Sequence, residues 1–274
     1  MKKPVHHTFR YGAFTLRRIE IICFTGLAIA LFGCASQAQK EAQAHVTQGD
    51  AYYAQNDFEN AINAYSEAIT LNPKLAGAYV GRGNTHSARI EYEAAVSDYG
   101  EAARLNGDYD HYAKGYSAYV GGDFDTAITE FTQAIGLKSN PVAAYNDRGL
   151  AYEGKQDLDN ALADYNSAIA LNPQSPYPYN NRGNVYMKQG EYDRAVEDYT
   201  KAIDLYPGLI YPYYGRGLAY YEKGDYDSAI SDYTKALDMS PEPFLYTLRG
   251  NAYYQKGERK LAAADYALAK EGYQ

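Results

Sequence analysis

A glycine returns along this chain at Gly49, Gly83, Gly115, Gly149, Gly183, Gly217 and Gly250, at intervals of 34, 32, 34, 34, 34 and 33 residues. A small residue twelve positions later keeps the same beat: Ala61, Ala95, Ala127, Ala161, Ala195, Ala229 and Ala262. A period of this length belongs to stacked supersecondary units. Each is too small to bury its own apolar face and needs its neighbours to do so. The pattern excludes a globular enzyme with one closed core, and it places function on a long surface built by stacking.

The fourth copy, residues 142–175, shows what the unit is. Tyr145, Arg148, Gly149 and Tyr152 fall at i, i+3, i+4 and i+7, one stripe of a first helix. Ala161, Tyr165 and Ala168 fall at i, i+4 and i+7, one stripe of a second. Gly149 opposite Tyr165 lets the two backbones approach while the ring fills the gap. Asn56, Gly122, Gly190, Gly224 and Gly257 suit a left-handed cap between the helices. An acid follows in every copy (Asp57, Glu91, Asp123, Asp157, Glu191, Asp225, Glu258), expected to cap the second helix and favour its N-terminal dipole. Pro73, Pro141, Pro173, Pro207 and Pro241 are expected to close it.

Two further positions change together within the chain. Arg82, Arg148, Arg182, Arg216 and Arg249 stand in first helices, and the same copies carry Asp98, Asp164, Asp198, Asp232 and Asp265 in their second helices. Copy three has Lys114 with Glu130, and copy one has Gln48 with Ala64. Facing stripes of an antiparallel hairpin bring such positions to similar height. The expectation is a structural ion pair, partly buried among tyrosines, within a repeat or between neighbours. His45, His86 and His111 occupy aromatic stripe positions and read as packing residues, not metal ligands. No phosphate-binding loop, zinc helix or nucleophile elbow is present, so the reading is of a protein without cofactor, metal or catalytic activity.

These residues carry a resemblance to tetratricopeptide (TPR) repeats, covering Ala42 to Gln274 in seven copies. It implies an all-α, right-handed α-solenoid with repeats at about 42–75, 76–107, 108–141, 142–175, 176–209, 210–242 and 243–274. The chain departs from the family in having Tyr or His where Trp is often found. Copy three also has His111 and Ala118 at two aromatic sites.

The family's inner-wall positions fall here on Tyr53, Asn84, Tyr109, Tyr112, Tyr116, Tyr119, Asn146, Tyr177, Asn180, Asn184, Tyr211, Tyr214, Tyr221, Asn251 and Tyr254. Ten of these are tyrosines, and hairpin packing accounts for tyrosines elsewhere, which makes this wall the expected contact surface. Tyrosine gives rigid area with a hydroxyl. Asparagine offers both a donor and an acceptor to an extended backbone. Lys188 is the one basic residue found on the wall, too few for the family's grip on C-terminal carboxylates.

The first residues are of another kind. Lys2, Lys3, Arg10, Arg17 and Arg18 precede a mostly apolar run from Ile21 to Phe32, long enough for a secretory signal and short for a bilayer span. It ends in Leu31-Phe32-Gly33-Cys34, which resembles the lipobox of bacterial lipoproteins, with Phe32 bulkier than that family prefers. The resemblance implies a signal peptide over 1–33, a lipid (diacylglyceryl and a further acyl chain such as palmitate) on Cys34, and a tether over 34–41. Cys23 leaves with the signal, so the mature chain keeps no free thiol.

Removing 1–33 takes five basic residues and one acid, leaving 21 Lys and Arg against 33 Asp and Glu, a net charge of −12. That charge excludes nucleic acid as a partner and leaves the lipid as the means of membrane attachment. Together these readings resemble envelope TPR lipoproteins. These are adaptors of the NlpI type or pilotins, lipid-anchored in the outer membrane facing the periplasm, with other envelope proteins as partners. The alternative is self-assembly, as a homodimer through the C-terminal repeat, whose last helix carries Ala262, Ala263, Ala264, Ala267 and Ala269.

Overall fold

The computed structural model describes residues 37–271, and these form fourteen helices paired as seven hairpins. The pairs are α1 (37–54) with α2 (Phe58–Leu71), α3 (Ala76–Ala88) with α4 (Tyr92–Leu105), and α5 (Asp110–Val120) with α6 (Phe124–Gly136). They continue as α7 (Pro141–Gly154) with α8 (Leu158–Leu171), α9 (Pro176–Gln189) with α10 (Tyr192–Leu205), α11 (Ile210–Glu222) with α12 (Tyr226–Met239), and α13 (Pro243–Gln255) with α14 (Arg259–Glu271). Each helix packs on its hairpin partner and on the next hairpin, and first helices touch along one wall (α5 with α7, α7 with α9, α9 with α11, α11 with α13). The result is an α-solenoid. The signal segment and Cys34 lie outside the described residues. Residues 37–41, read from sequence as part of a tether, belong to α1.

A tyrosine set between two glycines organises the stack. A Cβ on Gly183 would come within 2.9 Å of Tyr199 Cε1, and one on Gly215 of the next hairpin within 2.7 Å of Tyr199 Cζ. Tyr199 is 1% exposed. The same knob recurs with Tyr65 between Gly49 and Gly81. The packing therefore holds the hairpin closed and docks its neighbour at once.

The arginines add a directional contact. In five hairpins the guanidinium Nε and Nη2 donate to the two carboxylate oxygens of the aspartate sixteen residues on, at 2.7–2.9 Å. The third nitrogen, Nη1, donates backward to the preceding hairpin: to Ser66, Thr132, Asn166, Thr200 and Thr234 at 3.1, 2.8, 2.5, 2.9 and 3.1 Å. The pair lies within a repeat, and its remaining donor reaches the neighbour. Copy three differs from the sequence expectation. Lys114 bonds Asp110 at 2.6 Å and Glu130 takes His111 at 2.7 Å, because the shorter lysine has a partner one turn away on its own helix.

The caps also divide by side-chain length. Asp57, Asp123, Asp157 and Asp225 accept from the backbone N–H three residues on. Glu91 and Glu191 make no cap; the longer chain turns to His86 and to Arg194. Pro141 opens α7 at its first turn instead of closing α6, which ends at Gly136. In every hairpin turn one residue is left-handed, and in copies two and four it is Ile90 (φ 64°) and Gln156 (φ 63°). A β-branched residue there is strained.

Two outcomes follow. Asp198→Ala leaves a guanidinium without its partner and is expected to cost about 3 kcal/mol in urea unfolding, whereas Arg182→Met with Asp198→Leu stays within about 1 kcal/mol of wild type. Ile90, 45% exposed, gives up little burial. Ile90→Gly is therefore expected to raise the melting temperature, by about 1 kcal/mol of stability.

Candidate functional site: a tyrosine-lined cavity inside the solenoid

The first helices curve far enough for the stack to meet itself. Phe58 of hairpin one packs edge-on against Tyr206, after α10, with ring centroids 5.7 Å apart, and Tyr53 lies 5.9 Å from Phe58. Asn140, before α7, donates to Asn84 of α3 at 2.7 Å, bridging the inner side of hairpin three. The concave face is thereby narrowed into a half-open cavity of about 520 Å³ lined by residues from hairpins one to six.

Nine sequence-predicted wall residues line it: Tyr53, Asn84, Tyr112, Tyr116, Tyr119, Asn146, Tyr177, Asn180 and Tyr211. Six do not. Tyr109 sits in a 3₁₀ turn before α5. Asn184 and Asn251 accept from the hydroxyls of Tyr199 and Tyr266 at 2.7 and 2.9 Å, a core duty that Asn84 also performs for Tyr99. Tyr214 packs between Tyr211 and Phe244, Tyr221 against Tyr226, and Tyr254 is half exposed beneath Arg259.

Two of the nine also need correction in kind. Tyr112 and Tyr116 are each 1% exposed and pack at 4.8 and 4.9 Å on Tyr99. Hairpin three carries smaller residues elsewhere, so these rings are core as well as cavity floor. Tyr92, Tyr99, Asn140, Asn181 and Asp147 are among the further lining residues, and the family's inner-wall positions do not include them.

Asp147 is the chemical centre. It is 6% exposed, yet borders the cavity. The Tyr112 hydroxyl donates to Oδ2 at 2.7 Å and the Asn146 amide to Oδ1 at 3.1 Å. Asn181 donates to Asn146 at 3.0 Å, and Asn180 to Asn181 at 3.2 Å, so a chain of amides runs along the floor toward the carboxylate. Among the described residues no basic side chain bonds it. Burial pushes its pKa up to about 6, and the Tyr112 and Asn146 bonds offset this only in part. The same surroundings push the hydroxyls of Tyr53, Tyr112, Tyr116 and Tyr119 upward, so they stay neutral donors. Lys188 is turned to Glu153 at 2.6 Å. Buried atoms without partners border the cavity too: the Tyr177 hydroxyl and Asn180 Oδ1.

Each described histidine is matched with a carboxylate: His45 with Glu67, His86 with Glu91, His111 with Glu130. Among the described residues no three or more His, Cys, Asp or Glu are grouped to hold a metal ion. No described helix is long and apolar enough to cross a membrane.

Comparison with known proteins agrees with this architecture. Residues 176–209 and 210–243 match a family model described as Tetratricopeptide repeat. Residues 49–88 and 154–190 match one described as TPR repeat. The chain therefore carries tetratricopeptide repeats, and its fold is that of a TPR solenoid. Among solved structures it is similar to MamA, at 27% identity and a TM-score of 0.54 over 58% of this chain and 94% of that one. It is also similar to MamA from Desulfovibrio magneticus RS-1, at 20% identity and 0.57 over 61% and 96%. A chain of the APC/C hetero-tetramer Cut9-Hcn1 matches at 20% identity and 0.61 over 83% and 46%. No curated protein matches at the level of sequence.

The carboxylate gives the site a pH signature. An acid whose pKa rises on folding, here from 3.8 to about 6, holds its proton more tightly in the native state. That contribution is present below the unfolded value and is lost as pH rises through about 6. Asp147→Asn is expected to stabilise the protein by about 2 kcal/mol at pH 7.5, with the gain vanishing near pH 4, in melts recorded across that range.

Proposed function

We propose that this protein is a lipid-anchored scaffold of the bacterial envelope that holds a peptide segment of a partner protein in the cavity between hairpins one and six. The observation that carries the reading is a half-open cavity of about 520 Å³ whose lining residues Tyr177 and Asn180 each carry a buried polar atom that no other group of the protein bonds. Buried polar groups are normally hydrogen-bonded, so a peptide backbone is the fitting complement. TPR solenoids in general act by binding proteins, and the Cut9-Hcn1 structure is of such an assembly. The role is binding, not catalysis. The lipobox-like Leu31 to Cys34 supports attachment through a lipid on Cys34, and Ala35-Ser36 supports the outer membrane, facing the periplasm. Adaptor and pilotin roles both fit.

A photo-crosslinking residue at Tyr211, on the cavity lining, is expected to capture a partner in cells. One at Leu171, 53% exposed and outside the lining, is not. Ala143→Trp, which fills the cavity, abolishes the capture. Equal capture from Leu171, or capture that survives the tryptophan, contradicts the reading. In the same cells Cys34→Ser moves the protein from the membrane to the soluble fraction.

A second reading rests on α14, where Leu261, Tyr266 and Leu268 are 48, 38 and 44% exposed on the last described helix. Self-association through that face is the alternative.

A further inference from the structure

The molecule repeats one polar unit five times. In it a buried aspartate accepts two hydrogen bonds from an arginine, and in four of the five the guanidinium also lies 5.5–5.9 Å over a tyrosine ring. Asp98, Asp164, Asp198, Asp232 and Asp265 are 4–6% exposed in these units. Asp147 is equally buried, at 6%, and is likewise surrounded by tyrosines, yet both its bonds come from uncharged donors. Its position in the other copies holds Thr47, Gly81, Ala113, Asn181, Gly215 and Leu248. No other copy has an acid there, so Asp147 is not a repeat device.

We propose that the occupant of the cavity is a peptide segment bearing an arginine, whose guanidinium completes at Asp147 the aspartate–arginine–tyrosine unit that the protein builds for itself elsewhere. This rests on the reading of the cavity as a peptide site and specifies its chemistry.

The unmatched groups select the ligand. Asp147 has hydrogen bonds but no cationic partner, Asn180 Oδ1 is an unbonded acceptor, and a guanidinium brings five donors and no acceptor. Every amide in the floor chain donates toward Asp147, which supplies the carboxylate with one neutral donor but no positive charge, and leaves Asn180 Oδ1 as a free acceptor at the far end of the chain. A buried carboxylate without a cation is costly, and an entering cation removes that cost. Tyr119 and Tyr211, whose rings are only partly buried, line the same cavity, and flat guanidinium stacks on such faces better than ammonium does. Lys188, the wall's own basic side chain, is engaged by Glu153 and leaves the place open.

The test uses the full chain and three peptides: acetyl-Ala-Ala-Arg-Ala-Ala-amide and its citrulline and lysine counterparts. Citrulline keeps the shape of arginine and removes the charge. Binding is read by ligand-detected NMR titration. The arginine peptide is expected to bind at least tenfold more tightly than the citrulline peptide, with lysine between them. Asp147→Asn is expected to bring arginine and citrulline peptides to equal affinity, while Asp227→Asn, at an exposed ion pair with Lys256, keeps the preference. The comparison of peptides on wild-type protein stands without any variant.

Equal binding of arginine and citrulline peptides overturns the proposal. So does a preference that survives in Asp147→Asn, which would assign it to the acidic surface. If no peptide discriminates but crosslinking from Tyr211 still depends on an open cavity, the arginine inference fails and the peptide-site reading stands. If that crosslinking also fails, both fall.

Discussion

The structure depends on a tyrosine that serves two hairpins. Tyr199 fills the gap over Gly183 in its own hairpin and over Gly215 in the next, so intra-hairpin closure and inter-hairpin docking are one packing event. A side chain on either glycine would meet the ring, and close packing leaves no room to absorb it. Arginine forks then fix rotation about that contact, with two donors to the hairpin's own aspartate and one to the hairpin before it. A ball-like contact sets distance and a three-point fork sets angle. Repeated along the chain, the angle becomes curvature.

Curvature produces the site. Small rotations add until hairpin one reaches the turn after α10, where Phe58 and Tyr206 meet. What would be an open groove becomes a deeper, half-open cavity, and groups on its floor become buried. The raised pKa of Asp147 and the unmatched Tyr177 hydroxyl are consequences of that burial. The third hairpin adapts most. It carries Phe131 where the others have tyrosine, and Tyr112 and Tyr116 turn into the core around it. Through Tyr112, the least regular hairpin donates to Asp147 of the hairpin that follows.

The hairpins were legible because their determinants repeat. Glycine, alanine and tyrosine at fixed spacing name both helices and the contact between them, and the joint variation of arginine with aspartate names their pairing. The backward reach of Nη1 was not legible, since serine, threonine and asparagine share that position without a visible pattern. Ile90 and Gln156 carry no sequence sign of their left-handed conformation, because hairpin register overrides local preference. The narrowing into a cavity could not be read from one copy, since it is a sum over many. Tyr112 and Tyr116 were read as spare because the smaller residues that make them necessary lie elsewhere in hairpin three. Asp147 does stand out in the sequence, as the only acid at its position in seven copies.

The central claim is that the stack curves until its first hairpin touches its fifth. Residues 37–274 contain no cysteine, so cysteines placed at Asn60 and Pro207 can carry a pair of spin labels. Pulsed electron spin resonance should give a single narrow distribution at the short end of its range, because Phe58 and Tyr206 beside them are in contact. A broad distribution at long distance would show an open, extended solenoid. The cavity and the burial of Asp147 would then have no structural basis.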